Sequence, residues 1–210
     1  MLAIAGGKGG SGRTTTALGL AATLADRGRE PLVVDGDCDM PDLHLLAGTD
    51  PDPGLDAVAR GGSVEAVASR SPRFPGVAVL AAGTREGLRG TLDRLALRHG
   101  PVLVDCPSGV TEQLAHVLRA SDRCVIVATD RPQAVEDGLK TAAVARELGT
   151  PPAAVAIRDA DGRRAADAFD ADTVRVPGAP EPFEDSRVRD AWRRLLGVLE
   201  RSALQYSQNP

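Results

Sequence analysis

"GGKGGSGRTTT", residues 6–16, stands directly behind the apolar run "MLAIA" (1–5). A glycine-rich turn between a buried strand and a helix lets backbone N–H groups approach phosphate oxygens. Gly9, Gly10 and Gly12 are free to take positive φ there. The helix that opens near Arg13 aims its N-terminal dipole at the same anion. Thr14 is placed to ligate Mg²⁺ and Thr15 to bond an inner phosphate. One residue departs from the phosphate-loop pattern G-x-x-x-x-G-K-[ST]: Arg13 occupies the lysine position.

Outward from this stretch, short apolar runs alternate with helical patterns. "MLAIA" (1–5), "PLVVD" (31–35), "VAVLA" (77–81), "PVLVD" (101–105), "CVIVA" (124–128) and "AAVAI" (153–157) read as strands, with "TVRV" (173–176) a weaker seventh. They lack polar alternation, as parallel strands covered on both faces do. Helical spacing appears over 14–27, 86–98, 110–119, 133–148 and 185–201, with Gly28 suited to stop the first. The expected fold is a three-layer α/β domain whose sheet has about seven mostly parallel strands, helices covering both faces. It is read as one domain over 1–203 with a flexible tail over 204–210; 48–54 and 158–185 read as loops.

Composition narrows the function classes. The 210 residues carry a net charge of −4, which gives no reason to expect a nucleic-acid surface. Cys38, Cys106 and Cys124 are far apart with no C-x-x-C pair, which argues against a zinc or iron–sulfur site. No apolar run approaches the ~18 residues of a membrane span. A strand beginning at Met1 leaves no room for a signal peptide, so a cytoplasmic protein is expected.

Two acidic stations follow. Strand "PLVV" ends in "DGDCDMPDLH" (35–44), where four aspartates within eight residues repel one another unless a cation gathers them. "PVLVDCPSG" (101–109) reads as a Walker B strand, with Asp105 bonding a water on Mg²⁺.

"KGGSGRTTT" resembles the deviant Walker A motif, K-G-G-x-G-K-[ST], of the MinD/ParA group of P-loop ATPases, and Lys8 matches its signature lysine. "DGDCDMPDLH" resembles the switch I of that family and "DCPSG" its switch II, with Gly109 as a bending point. The likeness covers residues 1–148 well and the rest loosely. It implies ATP and Mg²⁺ as cofactors and an ATP-dependent homodimer in which Lys8 reaches the partner's nucleotide. On that alignment Gly7, Lys8, Gly9, Gly10, Ser11, Gly12, Arg13, Thr14 and Thr15 bind nucleotide, and Thr14, Asp35 and Asp105 serve the metal. Lys8 and Asp37 are the catalytic pair, Asp37 orienting the attacking water. The roles of Asp39 and Asp42 stay open, a helix cap among them for Asp42.

The departures matter as much. Arginine at 13 keeps the charge but is a larger planar fork than lysine, which predicts weakened turnover more than lost binding. The adenine-reading asparagine of many members is absent; "AVAIRDADG" offers Ile157, Arg158 and Asp159, with Arg158 either stacked on the base or solvated. "RDAWRRLLGVLERSAL" (189–204) is amphipathic: an interfacial helix, or, as the favoured reading, the helix that closes the fold. The expected function is a nucleotide-dependent dimer switch that positions a cellular structure (division, DNA partition or motility apparatus) through an unknown protein partner. The alternative is a non-hydrolysing nucleotide-binding scaffold of the same fold. No specific nucleic acid is expected as partner. The absence of C-x-x-C sets aside the Mrp-type iron–sulfur scaffolds, while a metabolic kinase or synthetase of the superfamily stays open.

Overall fold

The computed structural model describes residues 1–158 and 168–206, with side chains through Ser202. In chain order the elements are β1 (Leu2–Ala5), α1 (Arg13–Ala25), β2 (Leu32–Asp35), α2 (Leu43–Ala47), α3 (Leu55–Ala59), α4 (Val64–Val67), β3 (Ser69–Arg70) and β4 (Ala78–Leu80). There follow α5 (Arg85–Ala96), β5 (Val102–Asp105), α6 (Glu112–Ala120), β6 (Arg123–Thr129), α7 (Pro132–Glu147), β7 (Pro152–Arg158), β8 (Thr173–Val176) and α8 (Ser186–Tyr206). The sheet order is β3-β4-β2-β5-β1-β6-β7-β8. Every pairing is parallel except β3 with β4.

Strand parity explains both the fold and the missing polar alternation. Ala3, Ala5, Val34, Leu80 and Val104 face one layer with Leu88 and Leu92 of α5 and Leu114 of α6. Ile4, Val33, Val79 and Leu103 face the other, with Leu18 and Ala21 of α1 and Leu195 of α8. The interior positions of the central strands are thus apolar on both faces because water reaches neither. The expected three-layer α/β fold is what forms, with eight strands rather than about seven.

The extra strand, β3, is a two-residue edge piece, too short for any periodic signal. The same reason hid α2, α3 and α4, each of five residues or fewer. Helix α1 ends where Gly28, at φ +72°, stops it.

Helix α8 lies against α1 and the sheet. Val188, Ala191, Trp192, Leu195 and Leu196 are buried there. The face suggestive of a membrane is thus spent on the core. The contact explains a glycine in the middle of α1: a methyl at Gly19 would overlap the indole of Trp192. Helix α8 continues to Tyr206, so the expected tail over 204–210 is helical at its start; 207–210 lie outside the described residues, as do 159–167 of the expected 158–185 loop. Among the described residues no helix is long and apolar enough to cross a membrane.

Candidate functional site

The parallel strands β1, β2 and β5 all end at one edge of the sheet, where open α/β sheets bind ligands. The loop after β1 turns through Gly10 at φ +74° and Gly12 at φ +93°. Gly12 takes the N-cap position of α1 without any side-chain cap, and no acidic residue follows in the first turn. The leading amides of α1 therefore retain their capacity for an anion. Lys8, Gly9 and Gly10 are exposed, Ser11 is buried, and Gly7 lies against Asp137 of α7. Thr14 and Thr15 are half-buried in the first turn of α1.

Arg13 does not project freely. Its Nε donates to the carbonyl oxygen of Cys106 (2.8 Å), and its Nη1 to the carbonyl of Lys8 (2.8 Å) and to Oγ of Ser11 (3.3 Å). One guanidinium thus ties the phosphate loop to the residue just after β5. A single ammonium lacks this fork of spaced donors.

Asp35 and Asp105 pair in register at the ends of β2 and β5. Strand parity sends both carboxyls to the α1 side, since Val33 and Leu103, two residues earlier, face α1. The Thr14 hydroxyl reaches Oδ1 of Asp42 at 3.1 Å and also faces Asp105. With one proton it serves one carboxylate at a time. Oδ1 of Asp105 is buried and has no hydrogen-bond partner among the described residues. Asp35 accepts from the amides of Asp37 (3.1 Å) and Leu43 (3.2 Å), so its two oxygens hold the segment from 37 to 43 in place.

Burial pushes the Asp105 carboxyl up to about 8; the Thr14 hydroxyl pulls the other way, and the charge of Asp35 adds to the rise. Burial likewise lifts Asp35 to about 7 against the pull of its two amide donors. The cluster is short of positive charge.

A Mg²⁺ ion fits this donor set. Hard oxygens are on offer, one of them an orphaned buried carboxylate oxygen, and Mg²⁺ takes one or two protein ligands beside substrate phosphates. Among the described residues no three acidic, His or Cys side chains are arranged to hold a metal alone.

Asp37 adjoins this cluster, its amide donating to Asp35. Its Oδ1 accepts from the amides of Asp39 (3.3 Å) and Met40 (3.1 Å), closing a turn on its own loop. Asp39 meets Arg85 through two 2.9 Å contacts, linking switch I to α5. Asp42 stands at the N-cap of α2 but makes no side-chain cap bond, and binds Thr14 instead. Gly109 takes φ +75°, its amide 3.4 Å from the Gly6 carbonyl, so the turn after β5 touches the phosphate loop.

The family model described as "CobQ/CobB/MinD/ParA nucleotide binding domain" matches residues 2–176. The chain belongs to this family. It is 29% identical over 160 residues to an uncharacterized ATP-binding protein of Methanocaldococcus jannaschii; that alignment covers 71% of this chain and 60% of the relative's length. The chain thus spans about 60% of that relative's length. Among solved structures it resembles the cell division ATPase MinD of Pyrococcus furiosus, with a TM-score of 0.83, 25% identity, and 95% of this chain and 98% of that one covered. It also shares the fold of the septum site-determining protein MinD of Pyrococcus horikoshii, solved with Mg-ADP, with a TM-score of 0.82 at 22% identity, 96% of each chain being covered.

Some site residues of this MinD/ParA-family chain left no local trace. Thr129, Arg131 and Gln133 come beside the phosphate loop only because β6 lies next to β1. The Cys106 carbonyl is a backbone acceptor that no motif encodes. Asp42 carried a signal, membership of the acidic run, but not its partner Thr14.

Proposed function

We propose that the chain is a single-domain Mg-ATP-binding ATPase of the MinD/ParA type, working as a nucleotide-dependent dimer switch whose turnover Arg13 slows. The reading is carried by one observation: in the first turn of an uncapped helix the Thr14 hydroxyl faces the buried Asp105 carboxyl, whose Oδ1 has no partner among the described residues. In this reading the amides of residues 9–15 hold the phosphate chain, while Thr14 and Asp105 would hold the cation, Asp105 by way of a water. Mg²⁺, when bound, would supply charge neutralisation for the phosphates. Asp35 keeps switch I docked through two amides. Asp37 orients the attacking water once its carboxylate leaves the amides of Asp39 and Met40. Lys8, exposed on the loop, reaches the phosphates of a second protomer. The dimer would position a cellular structure through a protein partner, in keeping with its likeness to the cell division ATPase MinD of Pyrococcus furiosus.

A second reading, a nucleotide-binding scaffold without turnover, is favoured by Arg13 being spent on three protein acceptors. Phosphate release and light-scattering mass with ATP and Mg²⁺ separate the two. Release above background that disappears in Asp37→Ala, with an ATP-dependent dimer, supports the switch. Tight binding without release, restored by Arg13→Lys, supports the scaffold. Absence of nucleotide binding in both forms removes either reading.

A further inference from the structure

Beside the phosphate loop lies a cavity of about 310 Å³ whose far wall, the β6–α7 connection and Arg158, has no part in the mechanism above. Its walls are the loop residues Lys8 to Ser11, the β6–α7 connection, and Arg158 at the end of β7. Three cationic side chains line it (Lys8, Arg131 and Arg158) and no carboxylate does. Among the described residues none of the three charged groups has a hydrogen-bond or ion-pair partner, although the chain is acidic overall, at −4.

Arg158 is held in this position by the fold. The β7 strand is anchored between β6 and β8 through Thr129 and Val176. Ile157 is fully buried in the core, so Arg158 is the last residue of β7 able to face the site. Its side chain lies over Gly12 so closely that a methyl there would overlap Cδ, Cζ and Nη1. Pro132 opens α7 at the same cavity, adding a second helix N-terminus to that of α1. Three uncompensated cations and two helix dipoles repel one another across a small volume unless an anion joins them.

We propose that Arg131 and Arg158, with Lys8, form a phosphate-chain subsite adjoining the cradle. The inference rests on the nucleotide reading for the source of those phosphates. The source is either the chain's own nucleotide or the nucleotide of a second copy.

Inorganic tripolyphosphate, measured by calorimetry, tests the subsite without a base. Arg131→Ala changes an exposed side chain, and Arg158→Gln keeps the stem over Gly12 while removing the charge. Each is expected to raise the tripolyphosphate Kd about tenfold, since charge-assisted bonds are at stake. Light scattering with ATP and Mg²⁺ is run alongside. Loss of tripolyphosphate or ADP affinity in the dilute monomer assigns the subsite to the chain's own nucleotide. Intact monomer affinity with loss of the ATP-dependent dimer assigns it to a second copy. Affinity within twofold of native and an intact dimer in both variants overturns the subsite and leaves the nucleotide reading standing. A native chain that binds tripolyphosphate in an Arg158-dependent way but no ATP keeps the subsite and removes the nucleotide reading. A native chain that binds neither overturns both.

Discussion

Arg13→Lys separates the structural role of residue 13 from its chemical one. The native guanidinium makes three hydrogen bonds, of which the Nε bond to Cys106 alone spans from the phosphate loop to the end of β5. A lysine Nζ can stay near the Lys8 carbonyl but cannot also reproduce the fork toward Cys106. Losing one such bond from a charged donor costs about 1.5–3 kcal/mol, taken at the low end because the site is half-buried. In a domain of this size that is a fall in Tm of about 3–6 °C for the nucleotide-free protein. The compact ammonium is at the same time released to follow phosphate charge, so kcat is expected to rise about tenfold or more. Thermal unfolding without ligand and phosphate release with Mg-ATP, on the same preparations, read the two effects. An unchanged Tm would refute Arg13 as a tie between loop and strand. A fall in kcat would refute it as a brake, because the arginine would then be supplying the charge itself.

Further outcomes follow from packing and titration. Gly19→Ala places a methyl against Trp192; overpacking costs about 1–3 kcal/mol, which outweighs the gain of about 0.5–1 kcal/mol from helix propensity. Differential scanning should record a lower Tm, and a higher one would mean that the indole has room to move. In the metal-free protein the Asp105 carboxyl, lifted to about 8 from an unfolded value near 4, keeps a proton that the unfolded chain releases. Its stabilising contribution is therefore whole below about pH 4 and is lost as the pH climbs toward about 8. Asn does not titrate, so the stability of Asp105→Asn relative to native should grow across that window, by at most ~1.4 kcal/mol per pH unit; a flat difference would refute the lifted pKa. That variant should also lose Mg²⁺-dependent nucleotide affinity, read by titrating a fluorescent ATP analogue with and without the metal. Trp192 is the one tryptophan of the chain and is buried, so its emission should ignore anionic vesicles. A shift accompanied by co-sedimentation would mean that α8 leaves the sheet for lipid.

The phosphate loop was legible because its chemistry is local. Glycines at 10 and 12 turn the backbone, and Thr14 follows in the first helical turn, all within one short stretch. Asp35 and Asp105 were legible for a related reason: a carboxylate at the end of an apolar run marks the rim of a buried parallel sheet. The long helices were recovered to within a few residues, because their apolar spacing outlasts the noise of any single position. Helices α2, α3 and α4 were not, since one turn carries no period. That Oδ1 of Asp37 accepts from the amides of Asp39 and Met40 is a turn geometry no spacing announces.

By itself, then, the sequence determined the α/β class, the phosphate cradle, the acidic stations and the odd arginine, because each is written in neighbouring residues or in a repeated spacing. It could state that Arg13 differs from lysine, but not what the difference touches. The tertiary structure decided that Arg13 grips Cys106, that Asp42 meets Thr14, that Trp192 sits over Gly19, and that Arg131 and Arg158 converge on Lys8. These pairs are brought together by strand order, with β1 between β5 and β6 and β7 beyond, and strand order is set by how two helical layers bury the faces of one sheet.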